Sequence, residues 1–362
     1  MKIISIVGAR PQFVKVAIVS KMLRKKYQEV LIHTGQHYDF ELSQLFFDEL
    51  KIPEPDYNLE VGSASHGKQT GEMLKRIEEV LLKENPDFVL VYGDTNSTLA
   101  GALAAVKLHI PVGHVEAGLR SFDKSMPEEV NRVLTDHCST LLFAPTKTAV
   151  ENLKKEGITD GVYITGDVMY DALLECVKLS KSSKILEQLD LKPKNYLLAT
   201  IHRPSNTDNP INLKNILEAF SEVKETVVFP VHPRTEKFIR EHGLDHRIKD
   251  NVILTKPLGY IEFICLEKNA KKILTDSGGV QKEAYWLKVP CITLRDITEW
   301  AETVKDGWNV LVGADKEKIV KMVNEFEPKG KQRNVFGDGK ASERICETLK
   351  NYLDYWGSPN ES

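Results

Sequence analysis

The chain has 362 residues, of which 41% are apolar and 28% are charged, and its formal net charge is -3. This composition lacks the excess basic charge that binds nucleic acid, and no apolar run approaches the ~18 residues of a membrane span. The five cysteines are far apart and form no CxxC or Cys/His cluster, which argues against structural zinc and disulfides and favours a reducing, cytoplasmic location.

Short β-rich runs alternate with stretches of helical length, the pattern of parallel sheets in α/β folds. The predicted strands are KIISIV, EVLIHT, DFVLVY, PVGHVEA, TLLFA and VYITG, then NYLLATI, TVVFPV, NVILT, KILTD, PCITL and WNVLV. Because the length exceeds the roughly 250–300 residues of a single core, two doubly wound domains are expected. We place them at 1–167 and 168–343, with a C-terminal helix at about 344–362 that packs back on the first domain.

The first predicted strand ends at GARPQ, where Gly8 permits a tight turn and Pro11 suits the start of a helix. Arg10 and Lys15 flank that helix N-terminus, a position that favours anions. An ordinary strand-to-helix turn with surface cations is the alternative. Neither GxGxxG nor GxxxxGK[ST] occurs, so the sequence disfavours NAD and Walker-type ATP binding.

Acidic residues follow two neighbouring strands of the first half. Asp94 precedes a predicted helix, where it is either an N-cap or, beside Glu116, part of an acid and base pair. His114 and Glu116 share one face of their strand, and burying either costs several kcal/mol unless it finds a partner. We therefore expect a polar ligand between them. In PEEVNR, Glu128 and Arg132 are an i,i+4 pair at a helix start that is also structurally sensible.

The second half places His202 and Arg203 after its first strand and His232 after its second. Its TDSGGVQKEA segment ends a strand and opens a helix at Gly278 and Gly279, whose N–H groups are suited to cradle a diphosphate. Plain N-capping by Ser277 is the alternative. Glu283, further along this helix, is placed to accept hydrogen bonds from ribose hydroxyls.

Taken together, these segments resemble the non-hydrolysing UDP-N-acetylglucosamine 2-epimerases over nearly the whole chain. The matching segments are GARPQ with Lys15, GDTNST, GHVEAGLRS, PEEVNR, ITGD, PVHP, TDSGGVQKEA, LRDITE and FGDGKASERI. The resemblance implies the glycosyltransferase-B fold, two Rossmann-like domains with an active-site cleft between them. It also implies a homodimer, no redox cofactor and no metal.

The implied reaction interconverts UDP-N-acetylglucosamine (UDP-GlcNAc) and UDP-N-acetylmannosamine (UDP-ManNAc) through elimination of UDP and its re-addition to 2-acetamidoglucal. Asp94, Glu116 and Glu128 match the family's catalytic carboxylates, with Lys15 and Arg132 as their charge partners; which of the three acts as base stays open. The implied UDP contacts are Arg10, His202, Leu258, Phe263, Ser277, Gly278, Gly279 and Glu283. His202 also assists the departure of UDP.

Two departures from the family pattern concern binding. Trp300 stands in TEWAE where the bacterial TERPE has arginine, and Arg295 is the candidate to compensate. Many bacterial members bind a second UDP-GlcNAc as activator through two glutamines and an arginine, but this chain keeps only Gln36, with Asp39 and Lys68 at the other positions. We expect weakened or lost activation, and the possible remnants of such an allosteric site are Gln36, Lys68, Arg203 and His232.

Three other interpretations remain. A hydrolysing epimerase would release free N-acetylmannosamine, and a UDP-2,3-diacetamido sugar epimerase would admit one more acetamido group. A non-enzymatic nucleotide-sugar sensor is a third. Asp94, Glu116 and Glu128 argue against the sensor, because binding an anionic ligand does not need three acidic groups facing it.

Overall fold

The computed structural model describes residues 1–36 and 52–356, except for the side chains of Arg10, Pro11 and Trp356. The chain divides into two compact units. Unit 1 comprises Met1–Leu174 together with the C-terminal segment from Asn334, and unit 2 comprises Glu175–Arg333. These breaks fall at 174/175 and 333/334, where the sequence prediction has 167/168 and 343/344.

Unit 1 contains a seven-stranded parallel sheet in the order β3-β2-β1-β4-β5-β6-β7. Its strands are β1 (Lys2–Val7), β2 (Gln28–His33), β3 (Tyr57–Asn58), β4 (Phe88–Tyr92), β5 (Val112–Val115), β6 (Leu141–Ala144) and β7 (Val162–Ile164). Strands β4, β5 and β6 are buried along their whole length, as expected for a parallel sheet covered on both faces.

The helices of unit 1 follow their strands in βα order. They are α1 (Arg10–Leu23), α2 (His66–Glu84), α3 (Asn96–Lys107), α4 (Pro127–Cys138), α5 (Lys147–Lys155), α6 (Val168–Leu179), which crosses the unit break, and α15 (Ala341–Trp356). Helix α15 packs against α1, and Tyr352 meets Phe88 edge-on at 5.6 Å between ring centroids. The C-terminal helix is therefore part of the first sheet's cover.

Unit 2 contains a six-stranded parallel sheet in the order β10-β9-β8-β11-β12-β13. Its strands are β8 (Tyr196–Thr200), β9 (Thr226–Pro230), β10 (Val252–Thr255), β11 (Lys272–Thr275), β12 (Cys291–Thr293) and β13 (Asn309–Leu311). Its helices are α7 (Ile185–Gln188), α8 (Pro204–Thr207), α9 (Pro210–Glu222), α10 (Pro233–Glu241), α11 (Tyr260–Asn269), α12 (Gly278–Trp286), α13 (Ala301–Lys305) and α14 (Lys316–Glu325).

Both sheets reverse their strand order once, between β1 and β4 in unit 1 and between β8 and β11 in unit 2. Ligands of open parallel sheets bind beyond the carboxyl ends of the strands at such switch points. The turns that carry the predicted polar residues lie at these ends. No helix within the described ranges has the length and apolar character needed to cross a membrane.

Candidate functional site

The turn after β1 is closed by Gln12. Its Oε1 accepts hydrogen bonds from the N–H groups of Gly8 (2.7 Å) and Ala9 (2.9 Å), and its Nε2 donates to the carbonyl of Tyr92 (2.7 Å). These two N–H groups already have an acceptor within the protein. Arg10 is the first residue of α1, and its side chain lies outside the described part of the structure.

Gly8 is required here by close packing and not, as the sequence suggested, by turn conformation. Its φ is not in the left-handed region. A Cβ at this position would lie 2.0 Å from Thr34 Oγ1 and 2.1 Å from Ser97 Oγ, far inside van der Waals contact. The absence of a side chain therefore lets the turn approach the two hydroxyl groups.

Lys15 and Glu116 form a salt bridge at the carboxyl end of β5. The two side chains are 9% and 12% exposed. Glu116 has φ of +77°, a conformation that costs a residue other than glycine of order 1–3 kcal/mol. A Cβ at Gly93 would lie 3.2 Å from Lys15 Nζ, so the pair packs against the turn that carries Asp94.

Asp94 forms a salt bridge with Arg132 of α4. It is not the N-cap of α3, because that position belongs to Thr95, whose hydroxyl accepts a hydrogen bond from Thr98 N–H. Burial opposes the charge of Arg132, but Asp94 and then Glu129 and Glu116 outweigh it and raise its pKa. Asp94, Glu116, Lys15 and Arg132 thus form one group, which we call the carboxylate cluster.

The structure assigns the buried position at the start of α4 to Glu129, whereas Glu128 is exposed. Glu129 accepts hydrogen bonds from Ser121 N–H (2.9 Å), Ser121 Oγ (3.0 Å) and Phe122 N–H (3.0 Å). It also pairs with Arg132 at 3.1 Å, so the predicted i,i+4 pair is replaced by an i,i+3 pair. Among the described residues no hydrogen bond or ion pair involves Glu128.

His114 is fully buried and makes its contacts within the protein. Its Nδ1 lies 2.7 Å from Asp136 Oδ1 and its Nε2 lies 2.7 Å from the carbonyl oxygen of Gly93. Arg120 also binds Asp136 at 2.7 Å. Burial opposes ionisation of Asp136, but His114 and Arg120 lower its pKa below the ordinary value. Both ring nitrogens of His114 are engaged within the protein, so its burial does not require a ligand as partner.

Two of the possible allosteric remnants lie in unit 1. Gln36 Oε1 accepts hydrogen bonds from the N–H (3.1 Å) and hydroxyl (2.7 Å) of Ser97 at the start of α3. Lys68 is exposed on the first turn of α2. Asp39, the position of the second family glutamine, lies outside the described residues.

In unit 2, Asp276 holds the turn after β8 against the turn after β11. Its buried carboxylate accepts hydrogen bonds from His202 N–H (3.1 Å), Arg203 N–H (3.0 Å) and Asn206 Nδ2 (3.0 Å). The His202 ring lies 3.4 Å from the same carboxylate and 6.2 Å, between centroids, from the ring of His232. Sequence reasoning did not single out Asp276, although it is the residue that positions His202.

The segment Ser277–Gly279, which we call the SGG turn, opens α12. Ser277 is the N-cap, but its side chain makes no capping hydrogen bond. N–H groups in the first turn of a helix have no acceptor within it, so these donors are suited to an anion. A Cβ at Gly278 would lie 2.9 Å from Glu299 Oε1 and 3.2 Å from Trp300 Nε1, which explains why this position lacks a side chain.

Arg295 does not stand free to replace the arginine missing at Trp300. Its Nη1 lies 2.8 Å from Glu299 Oε2, and Arg203 Nη2 lies 3.6 Å from Glu299 Oε1. Two guanidinium groups around one carboxylate leave a net positive charge beside Gly278. Trp300 is buried, and Lys282 Nζ lies 4.0 Å from the centroid of its ring.

Glu283 is buried on α12 and accepts a hydrogen bond from Tyr260 Oη at 2.5 Å. Leu258 and Phe263 pack on the same apolar cluster of unit 2. The part of the chain that the structure describes has no group of three or more His, Cys, Asp or Glu side chains suited to hold a metal ion. Each unit thus carries a group of polar residues at its switch point.

Two doubly wound parallel sheets of this kind define the glycosyltransferase-B class of fold, and the solved structures similar to this chain agree. One is the UDP-GlcNAc 2-epimerase of Methanocaldococcus jannaschii in complex with UDP-GlcNAc and UDP, with a TM-score of 0.89 and 48% identity over 97% of this chain and 100% of that chain. The family model for UDP-N-acetylglucosamine 2-epimerase matches residues 21–350. The chain therefore belongs to the UDP-N-acetylglucosamine 2-epimerase family.

Two curated relatives show the range of names within this family. A UDP-N-acetylglucosamine 2-epimerase homolog of Methanococcus maripaludis is 62% identical over 97% of this chain and 100% of its own length. A UDP-2,3-diacetamido-2,3-dideoxy-D-glucuronate 2-epimerase of Pseudomonas aeruginosa is 48% identical over 96% of this chain and 99% of its own length. These relatives support an epimerase of nucleotide sugars and leave the identity of the sugar to experiment.

Proposed function

We propose that this protein interconverts UDP-GlcNAc and UDP-ManNAc without net hydrolysis. The observation that carries the proposal is the carboxylate cluster, in which the Glu116–Lys15 pair lies against Gly93 and the Asp94–Arg132 pair begins at the next residue. Epimerisation requires one group that removes a proton and another that returns one to the opposite face of the carbon. Two carboxylates at different positions around one carbon can serve as base and acid on its opposite faces.

The reaction begins at the anomeric carbon, because the C2 proton of the sugar becomes acidic only as the C1–O bond breaks. The C–H electron pair then forms the C1–C2 double bond of 2-acetamidoglucal while the bonding pair of C1–O leaves with UDP. Protonation at C2 on the other face and re-addition of UDP oxygen to C1 complete the cycle. Asp94 and Glu116 exchange these protons, and Glu128, exposed on the first turn of α4, is the third proposed carboxylate.

Unit 2 supplies the binding of the leaving group. Donors aimed at a departing diphosphate lower the barrier because its negative charge grows as the C1–O bond breaks. The proposed donors are the SGG turn, His202 and Arg10, and Glu283 binds the ribose hydroxyls. Leu258 and Phe263 contact the uracil base of the nucleotide.

Product analysis tests this proposal. The protein is incubated with UDP-GlcNAc, and the products are separated by anion exchange and identified by NMR. UDP-ManNAc in equilibrium with UDP-GlcNAc is expected. Free N-acetylmannosamine together with UDP, as the main product, would instead establish the hydrolysing reaction.

The Pseudomonas aeruginosa relative makes a diacetamido sugar the second candidate substrate. Initial rates with UDP-GlcNAc and with UDP-2,3-diacetamido-2,3-dideoxy-D-glucuronate, each measured over concentrations from below to above KM, decide between them. We expect the higher kcat/KM with UDP-GlcNAc. A strong preference for the diacetamido uronate would overturn the substrate assignment and leave the epimerase chemistry intact.

We further propose that allosteric activation by UDP-GlcNAc is weak or absent. Gln36 Oε1 is already bound by Ser97, and Lys68 replaces the arginine of the bacterial site. Initial rates from UDP-ManNAc alone test this, because a strict requirement for added UDP-GlcNAc would contradict it. Arg203 and His232, in unit 2, belong to the same proposal.

The remaining assignments are proposals on the strength of family membership. The protein acts as a homodimer in the cytoplasm and supplies N-acetylmannosamine units for surface polysaccharide or glycan synthesis, without a redox cofactor, a metal, nucleic acid or a membrane. Light scattering coupled to gel filtration tests the dimer. A monomer at micromolar concentration would contradict it.

A further inference from the structure

Glu267, on α11, is a fully buried carboxyl group next to Glu283. The two side chains are in hydrogen-bonding contact, and Glu283 also accepts the hydrogen bond from Tyr260. Among the described residues neither oxygen of Glu267 has a hydrogen-bond donor. Two carboxylates have no proton to share, so the contact between them requires that one be protonated.

The surroundings of Glu267 determine which of the two carries the proton. Glu283 is the charged side chain that acts on Glu267, while Tyr260, Tyr196 and Cys291, whose pKa values Glu267 helps to raise, are neutral acids at neutral pH. Two carboxyl groups in buried contact cannot both ionise at neutral pH. Glu283 has the Tyr260 hydroxyl as a donor, so the negative charge belongs on Glu283. Burial and then Glu283 raise the pKa of Glu267 well above its ordinary value.

We propose that Glu267 is a neutral carboxylic acid that donates its O–H to Glu283 and so positions the Glu283 carboxylate for the ribose hydroxyls of the nucleotide. Tyr260 fixes one oxygen of Glu283, and Glu267 holds the carboxylate from α11. Glu267 is a positioning residue, since it acts on the nucleotide only through Glu283. The role assigned to Glu283 rests on the proposed function, whereas the protonation of Glu267 does not.

Infrared spectroscopy of the intact protein without ligand tests the protonation. At neutral pH the C=O stretch of a protonated carboxyl group is expected in the unaltered protein. It should disappear in Glu267→Gln and Glu267→Met and persist in Glu241→Gln, a control at an exposed glutamate. A missing band, or one that persists in both Glu267 variants, would overturn the inference.

Calorimetric titration with UDP and with 2′,3′-dideoxy-UDP tests the positioning. Glu267→Met removes the donor and should weaken UDP binding about tenfold, the equivalent of one hydrogen bond to a charged group. It should leave dideoxy-UDP, which has no ribose hydroxyls, within about twofold. Glu267→Gln, whose amide still donates, should restore UDP affinity to within about threefold.

Equal weakening of both nucleotides by Glu267→Met would show a merely structural role and overturn the positioning. Failure of the unaltered protein to bind UDP would contradict the proposed function instead. The infrared result would still decide whether Glu267 is protonated. The two failures are therefore distinguishable.

Discussion

Replacing Glu129 with glutamine is expected to destabilise unit 1 by about 2–4 kcal/mol. Glutamine keeps the shape, but its amide nitrogen must face a donor. The least costly orientation keeps the oxygen toward Ser121 and Arg132 and gives up the hydrogen bond from Phe122 N–H. A lost hydrogen bond to a buried charged group accounts for about 1.5–3 kcal/mol, and the weakened pair with Arg132 for the rest.

The neighbouring Glu128→Gln is the matched control, because the residue type and the helical turn are the same but Glu128 is exposed. It should change the free energy of unfolding by less than about 0.5 kcal/mol. Urea denaturation followed by far-UV circular dichroism measures both variants. Equal stabilities of the two variants would refute the assignment of the buried position to Glu129. Because Glu128 is also proposed to be catalytic, Glu128→Gln should keep its stability but lose turnover by about 10²-fold or more.

Three further outcomes are expected. Asp94→Asn and Glu116→Gln should each reduce turnover by roughly 10²–10⁴-fold in steady-state assays, and unaltered activity in both would contradict their role. Gly8→Ala should destabilise the protein in urea denaturation, because the added Cβ would clash. Gly71→Ala should stabilise it by about 0.5–1 kcal/mol, because the added Cβ meets nothing within 4 Å and alanine favours the helix. The reverse order of stabilities would refute the packing argument. The lowered pKa of Asp136 predicts a stability contribution that is complete above about pH 4 and is lost as pH falls through the folded-state pKa. Unfolding midpoints from pH 7 to 3 for the unaltered protein and Asp136→Asn measure it, and parallel curves would contradict it.

The α/β fold could be predicted because parallel strands buried on both faces have a strong local pattern. All twelve predicted strands are present, and the prediction missed only β3 among the described strands. That strand, Tyr57–Asn58, has two residues, too few to show any periodicity. Its pairing with β2 depends on tertiary contacts, which no local pattern encodes.

The placement of the candidate polar residues at the carboxyl ends of strands could be predicted, but their contacts could be predicted only in part. Glu128 and Glu129 both lie within one turn of Arg132, so helical spacing alone does not choose between them. The choice follows from the backbone at Ser121 and Phe122, whose N–H groups reach Glu129. Local spacing is equally uninformative about residues that position a side chain far away in the sequence.

Asp276 and Glu267 illustrate that limit. Asp276 lies at a strand end within TDSGG, and this motif predicts a turn. It does not indicate that Asp276 binds His202 and Asn206, which lie 70 residues or more away in the sequence. Glu267 lies in a helix with no motif around it, and only its full burial distinguishes it from a surface glutamate. Burial of an ionisable side chain is a property of the folded chain, so the sequence could not reveal it.

Incubation of the protein with UDP-GlcNAc in D2O, followed by NMR of the nucleotide sugars, tests the central claim most directly. Elimination and re-addition require that the C2 proton be exchanged with solvent through the carboxylates. We predict deuterium at C2 in both UDP-GlcNAc and UDP-ManNAc. Formation of UDP-ManNAc without deuterium, or no exchange in either sugar, would contradict the account.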